Sequence, residues 1–136
     1  MRRVTDADYR RLLEFRSGLR TFLRWSEEQA SRVGLTPAQH QMLLAIRAHP
    51  DPRGPTIGDL ADELLLRHHS VVGLVDRAVG GGLVRRAADH QDHRMVRVQL
   101  TPRGNARLES LSALHLEELS RISPRLGGLW EGLATR

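Results

Sequence analysis

Apolar residues recur at helical spacing in the first part of the chain. Behind Thr5 they follow one another at intervals of three or four positions up to Gly34, which predicts a long amphipathic helix. Residues 36–39 then read Thr-Pro-Ala-Gln, with a capping threonine, a proline at the first helical position and a glutamine at the third. We therefore expect a second helix from this point to about His49.

Two short periodic segments follow a proline-rich loop at residues 49–55. The prolines exclude a helix in the loop, because they lack amide donors and fix the backbone angle φ. The first segment covers residues 57–64 behind a capping Thr56, and the second covers residues 68–79 and ends at three consecutive glycines. Two short helices joined by a tight turn are typical of a helix-turn-helix.

The pattern then changes from helical periodicity to alternation. Residues 83–87 and 95–100 are predicted to be strands, and the second strand alternates apolar and polar positions. The polar residues 88–94 between them predict a hairpin loop that projects as a wing.

The last part of the chain predicts two further helices. Thr101 followed by a proline opens one of them, and Ser123 followed by Pro124 is expected to open the other. The apolar stripe of the final helix consists of Leu126, Leu129, Trp130 and Leu133.

The terminal helices have no strand left to cover their apolar stripes. Residues 36–100 can bury their own apolar faces and are expected to form the DNA-binding lobe of a winged helix-turn-helix. Residues 1–35 and 101–136 are expected to form a dimerisation region with a second copy of the chain, because large exposed apolar stripes mark interfaces. The predicted fold is mainly α with a small β-wing, in one intertwined domain.

The charge of the chain indicates the kind of partner that it binds. The formal net charge is +5, and all 21 basic residues other than histidine are arginines. Arginine pairs bidentately with phosphates and guanine edges, so the balance favours a polyanionic partner, although a genome that favours arginine codons also explains part of this usage.

Other features exclude whole classes of function. The absence of cysteine excludes disulfides, thiolate zinc sites and thiol redox sensing. The polar N-terminal residues lack the apolar run of a secretory signal, so a cytoplasmic protein is expected. No enzyme motif occurs, and neither a cofactor nor a metal site is expected.

Three short motifs occur in an informative order. Residues 35–39 read Leu-Thr-Pro-Ala-Gln, residues 74–77 read Leu-Val-Asp-Arg, and residues 83–101 contain Leu-Val-Arg-Arg, Asp-His-Arg and Val-Gln-Leu-Thr in turn. With the order of helices and wing, they resemble the MarR family of bacterial transcription regulators. The resemblance implies a homodimer that binds double-stranded DNA at a pseudo-palindromic operator and represses transcription until a small-molecule effector releases it.

The chain departs from the family pattern at the helix-turn-helix. Leu65 stands where the family commonly has a turn glycine, and Arg67 stands where a serine caps the recognition helix. Gly73 replaces a long polar residue in mid-helix, which shifts base readout to the front of the helix. These departures motivate an alternative function, a dimeric interaction module that has lost specific DNA binding.

The front of the recognition helix and the wing carry the candidate DNA contacts. In a helix-turn-helix, side chains at the front of the second helix reach base edges in the major groove. An alternative for each histidine there is packing into the turn, and an alternative for Arg77 is an ion pair with Asp76. The expected DNA-binding residues are Arg67, His68, His69, Ser70, Arg77, Arg85, Arg86, His93 and Arg94.

The resemblance places a minor-groove arginine at Arg94, since narrow A·T-rich grooves attract arginine. Asp92, two residues earlier, is interpreted as a partner that orients the wing. Arg53 in the proline-rich loop is expected to contribute only long-range attraction to DNA.

In the resembling family, effectors bind where the DNA-binding lobe meets the dimer helices. The corresponding candidates are Arg20, Trp25, His40 and Met42, and the alternative for each is ordinary helix packing.

Overall fold

A computed structural model describes residues 3–134 of the protein. None of the helices within these residues combines the length and the apolar composition that a membrane span requires. The elements in chain order are α1 (Asp6–Arg32), α2 (Pro37–Arg47), α3 (Ile57–Leu64), α4 (His68–Gly80), β1 (Val84–Ala88), β2 (Val96–Leu100) and α5 (Pro102–Ala134).

Threonine caps fix where the first three helices begin. Thr5, Thr36 and Thr56 each accept a hydrogen bond from a backbone amide three residues on, and the side chain at that position accepts one in return. These capping boxes satisfy amides that the helix itself leaves without partners. The predicted helix starts are thereby confirmed.

The C-terminal region differs from the prediction, because it forms one helix instead of two. Pro124 lies inside α5 and does not begin a new helix. Proline removes one amide donor, but its fixed φ is compatible with a helix. Ile122 and Arg125, on either side of Pro124, line the same cleft against α1, so packing continues across the proline. The side chains of Leu126, Leu129, Trp130 and Leu133 lie outside the described residues.

Helices α2, α3 and α4 and the two strands enclose the core of the winged helix-turn-helix. The strands pair antiparallel with Arg86 opposite Val98, and Thr56 adds a single bridge to Arg97. Val98 is fully buried, so β2 covers one side of the helical layer. The largest fully buried side chains are Met42, Leu43, Leu60, Leu111, Val71, Val75, Val98 and Pro55.

Helix α1 packs against α5 beside this lobe, yet both keep large apolar side chains in solvent. Tyr9 and Leu13 on α1 are 61% and 63% exposed, and Leu116 on α5 is 67% exposed. Apolar exposure on this scale, along both helices that the sequence predicts to lie at a dimer interface, leaves a face that the isolated chain does not cover.

Candidate nucleic-acid interface

The turn between α3 and α4 is built without glycine. Leu65 adopts a left-handed conformation with φ 55°, and its side chain is 91% exposed. Its amide and that of Leu66 both donate to the carbonyl oxygen of Ala61, so this carbonyl of α3 has two donors in the turn. A left-handed backbone disfavours a side chain by roughly 1–2 kcal/mol, so Leu65 retains the turn geometry at a cost in stability.

The front of α4 is open to solvent. Arg67 is the N-cap residue and makes no side-chain capping hydrogen bond. His68, His69 and Ser70 are all exposed, so none of them packs into the turn. The expected base-reading residues therefore lie together on an accessible helix end, where free amides favour an anion such as phosphate.

Helical periodicity orders these residues around α4. The buried face consists of Val71, Leu74, Val75 and Ala78. The opposite face carries His69, Gly73, Asp76 and Gly80, because residues three and four apart share a face. His69 thus points most directly outward, while His68 and Ser70 lie on the two edges of that face.

Arg77 and Arg86 have different surroundings. Asp76 forms an ion pair with Arg86 of β1, and no pair between Asp76 and Arg77 occurs in the described chain. The guanidinium of Arg77 lies 3.4 Å from where a Cβ atom on Gly73 would stand. Arg77 therefore extends back along the outward face of α4, over the position that lacks a side chain.

The wing holds Arg94 in a defined geometry. The Asp92 carboxylate accepts hydrogen bonds from the Arg94 amide at 3.0 Å and from its Nε atom at 3.1 Å. The side chain of Arg94 is nevertheless 91% exposed. Arg85 and His93 are exposed as well, so the wing presents its basic groups to solvent while a carboxylate orients one of them.

An ionic cluster beneath the wing, built around the buried Asp89, was not predicted from the sequence. Asp89 is only 3% exposed and pairs with Arg97, whose side chain is 12% exposed. Arg53 bonds to Asp51 at 2.8 Å and approaches Asp89 at 3.5 Å, so it belongs to this cluster. The sequence signal was the recurrence of Asp and Arg in both loops, which solvated loops also show.

Of the four candidate effector residues, the structure brings two together. Trp25 and His40 both contact His115 of α5, with ring centroids 4.9 Å apart in each case. Met42 is fully buried in the core, and Arg20 is exposed on α1. The junction of α1, α2 and α5 is therefore an aromatic cluster with His115 at its centre.

Hydrogen bonds fix the histidine at the centre of this cluster. The Ser26 hydroxyl lies 2.6 Å from Nε2 of His115, and Nδ1 lies 2.7 Å from the carbonyl oxygen of Leu111. Burial, and secondarily the neighbouring His115, lower the pKa of His40 below its ordinary value. His40 is thus held in its neutral form at the junction between the lobe and the long helices.

Within residues 3–134, no group of three or more histidine or carboxylate side chains is placed to hold a metal ion. The histidines and aspartates of the wing are instead exposed or engaged with arginines.

Part of the chain, which includes most of the lobe, is similar to a known protein family. Residues 33–95 match the model of the MarR family. Comparison with curated protein sequences gives no match.

Solved structures with the same fold cover nearly the whole chain. MepR, a transcription regulator of the Staphylococcus aureus multidrug efflux pump MepA, is 19% identical with a TM-score of 0.76, covering 97% of this chain and 98% of its own. A MepR mutant bound to an oligodeoxyribonucleotide is 20% identical with a TM-score of 0.71, covering 90% of this chain and 95% of its own.

A third structure concerns regulation of DNA binding of Bordetella bronchiseptica BpsR by 6-hydroxynicotinic acid. It is 24% identical with a TM-score of 0.62, covering 78% of this chain and 73% of its own. The winged-helix fold is thereby confirmed.

Proposed function

Because the chain carries the winged helix of the MarR family of transcription regulators, we propose that it is a sequence-specific, double-stranded DNA-binding repressor released by a small-molecule effector. The family consists of transcription regulators, so the protein is not an enzyme. A partner of this kind places the protein in the cytoplasm, where bacterial DNA is found.

One observation carries the proposal. The open front of α4 and the exposed Arg94 of the wing combine two modes of DNA recognition in one lobe. A helix front suits base edges in the major groove, and an arginine on a projecting wing suits a narrow minor groove. MepR was solved with an oligodeoxyribonucleotide on the same fold, which supports this use of the lobe.

Two copies of the chain form the functional unit. The exposed apolar side chains of α1 and α5, including Tyr9, Leu13 and Leu116, are covered when the same helices of a second copy pack on them. A symmetric dimer presents two recognition helices to two half-sites, so its operator is pseudo-palindromic.

The effector is a small aromatic acid that acts at the junction of α1, α2 and α5. A cleft between α1 and α5 is lined by apolar and aromatic side chains, Trp25 among them, together with Arg125 and with Arg121, which forms an ion pair with Glu118. Trp25 also belongs to the His40–His115 cluster, which connects this cleft to the lobe. A ligand there shifts the spacing of the two lobes and weakens DNA binding. BpsR, whose DNA binding 6-hydroxynicotinic acid regulates, supports an effector of this class.

Selection from a random library of 30-base-pair duplexes tests the DNA-binding proposal. The protein should enrich an inverted repeat, and light scattering should give twice the chain mass of 15.3 kDa. A dimer that enriches no sequence would instead be the interaction module without specific DNA binding. Thermal-shift screening of aromatic acids, followed by release of the selected duplex, tests the effector.

A further inference from the structure

Asp89 begins the wing loop and is buried, although it is a carboxylate in a hairpin tip. One oxygen accepts the amides of Gln91 at 2.8 Å and Asp92 at 3.2 Å. The other lies 3.0 Å from Nε and 2.9 Å from a terminal nitrogen of Arg97. Both oxygens are therefore used, one by the wing backbone and one by β2.

Arg97 and Arg53 together join the wing to the proline-rich loop. Arg97 donates to the carbonyl oxygen of Gly54 at 3.1 Å and lies 3.7 Å from Asp51. Arg53 bonds to Asp51 at 2.8 Å and approaches Asp89 at 3.5 Å. These four side chains form a closed ionic cluster between loop 49–55 and the wing.

The proline-rich loop approaches strand β2 so closely that only glycine fits at position 54. Gly54 has φ 95°, and a Cβ atom there would collide with the carbonyl oxygen of Val98 on β2. The amide of Val98 also donates to the carbonyl oxygen of Pro55 at 2.8 Å. The proline-rich loop thus packs tightly against β2, and Asp89 ties the wing to it.

Asp89 also contacts the residue that orients Arg94. It fixes the backbone amide of Asp92, and the carboxylate of Asp92 in turn accepts from Arg94. The pKa of Asp89 is lowered to about 2, chiefly by the Gln91 amide and by Arg97, so it is ionised at every physiological pH.

We infer that Asp89 is the positioning residue of the wing: it couples the position of the proline-rich loop, through Asp92, to the orientation of Arg94. The inference rests on the proposed DNA-binding function, because its main test measures DNA affinity. A carboxylate locked into a closed cluster sets the direction in which the arginine leaves the wing, and so limits the groove geometry that it enters.

A double-mutant cycle tests this role, with the library-selected duplex and an unrelated duplex of equal length as probes. Asp89→Asn should weaken binding to the selected duplex about 10-fold and change binding to the unrelated duplex less than 2-fold, because charge-driven binding does not need the direction of Arg94. In the Arg94→Ala background, Asp89→Asn should cause no further loss. The matched control is Asp62→Asn, which removes an exposed carboxylate on α3 and should leave the ratio of the two affinities unchanged.

Two results would overturn the inference. One is equal weakening on both duplexes, and the other is a full 10-fold loss from Asp89→Asn when Arg94 is already alanine.

Amide hydrogen exchange in the unmodified protein provides a readout that requires neither a folded variant nor an operator. The amides of Gln91 and Asp92 should be protected, whereas that of the exposed His93 should exchange quickly. Fast exchange at Gln91 and Asp92 would refute the positioning role even if Asp89→Asn fails to fold. Failure of the wild-type chain to enrich any duplex, with protected amides, would count against the proposed function alone.

Discussion

Arg86 of β1 and Asp76 of α4 form an ion pair that connects the wing to the outward face of the recognition helix. The pair places a carboxylate on the surface that is proposed to approach DNA, and it occupies an arginine that was expected to contact DNA. Asp76 is 59% exposed and Arg86 is 37% exposed, so solvent screens the attraction between them.

Removing this carboxylate should strengthen DNA binding. Asp76→Asn releases Arg86 toward phosphate and removes one negative charge from the DNA-facing surface, so affinity at low salt should rise several-fold. Fluorescence anisotropy with the selected duplex measures the change. Weaker binding by the variant would show instead that the pair sets the angle between wing and helix.

The wing arginine should matter more than an arginine of equal charge elsewhere. Arg94→Ala should weaken binding by about 1–3 kcal/mol, because a groove contact is lost together with the charge. Arg24 on α1 is a suitable control, since its side chain is 84% exposed and pairs with Glu28 one turn on. Equal losses in both variants would mean that the wing supplies charge alone.

The strained turn offers a stabilising substitution. Leu65→Gly should raise the free energy of unfolding by up to about 1 kcal/mol, because glycine adopts φ 55° without steric cost and the lost side chain is almost fully exposed. Leu66→Gly is the control and should destabilise, since Leu66 does not have a positive φ and is 41% exposed. Urea denaturation distinguishes the two variants. A destabilised Leu65→Gly would imply that this side chain has a partner.

Stability should fall as the pH drops from 7.5 to 5.5. The pKa of His40 is lowered in the folded protein, so the unfolded chain binds more protons once the pH falls below the ordinary value near 6.5. Each unit by which the pKa is lowered corresponds to about 1.4 kcal/mol. Carboxylates with a lowered pKa, such as Asp89, respond only near pH 4 and below.

Urea unfolding at several pH values measures this dependence. His40→Phe keeps a ring beside His115 but cannot titrate, so it should flatten the profile, whereas the exposed His68→Gln should not. An unchanged slope in His40→Phe would assign the effect to another group.

Local chemistry made most of the fold predictable. Thr36 and Thr56 marked helix starts because capping depends on residues three positions apart, and the wing was predicted from the polar residues between two strands. Pro124 misled because a proline that can begin a helix can also continue one when packing on both sides favours it.

Sequence predicted the site residues whose exposure follows from the local helix or hairpin in which they lie. It did not predict residues whose role comes from contacts with distant segments. His68 and Arg94 are exposed on a helix front and a wing, as periodicity and resemblance indicate. Asp89 and Arg53 acquire their roles from contacts between loops about 35 residues apart in sequence, and no local pattern encodes such a contact. His115 contacts Trp25 and His40 for the same reason, because three helices meet there.

The close approach of Gly54 to β2 limits which residues can occupy position 54. A library of all substitutions, selected for DNA binding, should retain only glycine at position 54, because even a methyl group separates the proline-rich loop from Val98. At Gly58, on α3, a Cβ atom meets nothing closer than 3.8 Å, so many residues should survive selection there. Two glycines four positions apart should thus differ in mutational tolerance, and the intolerant one lies where the proline-rich loop packs against β2.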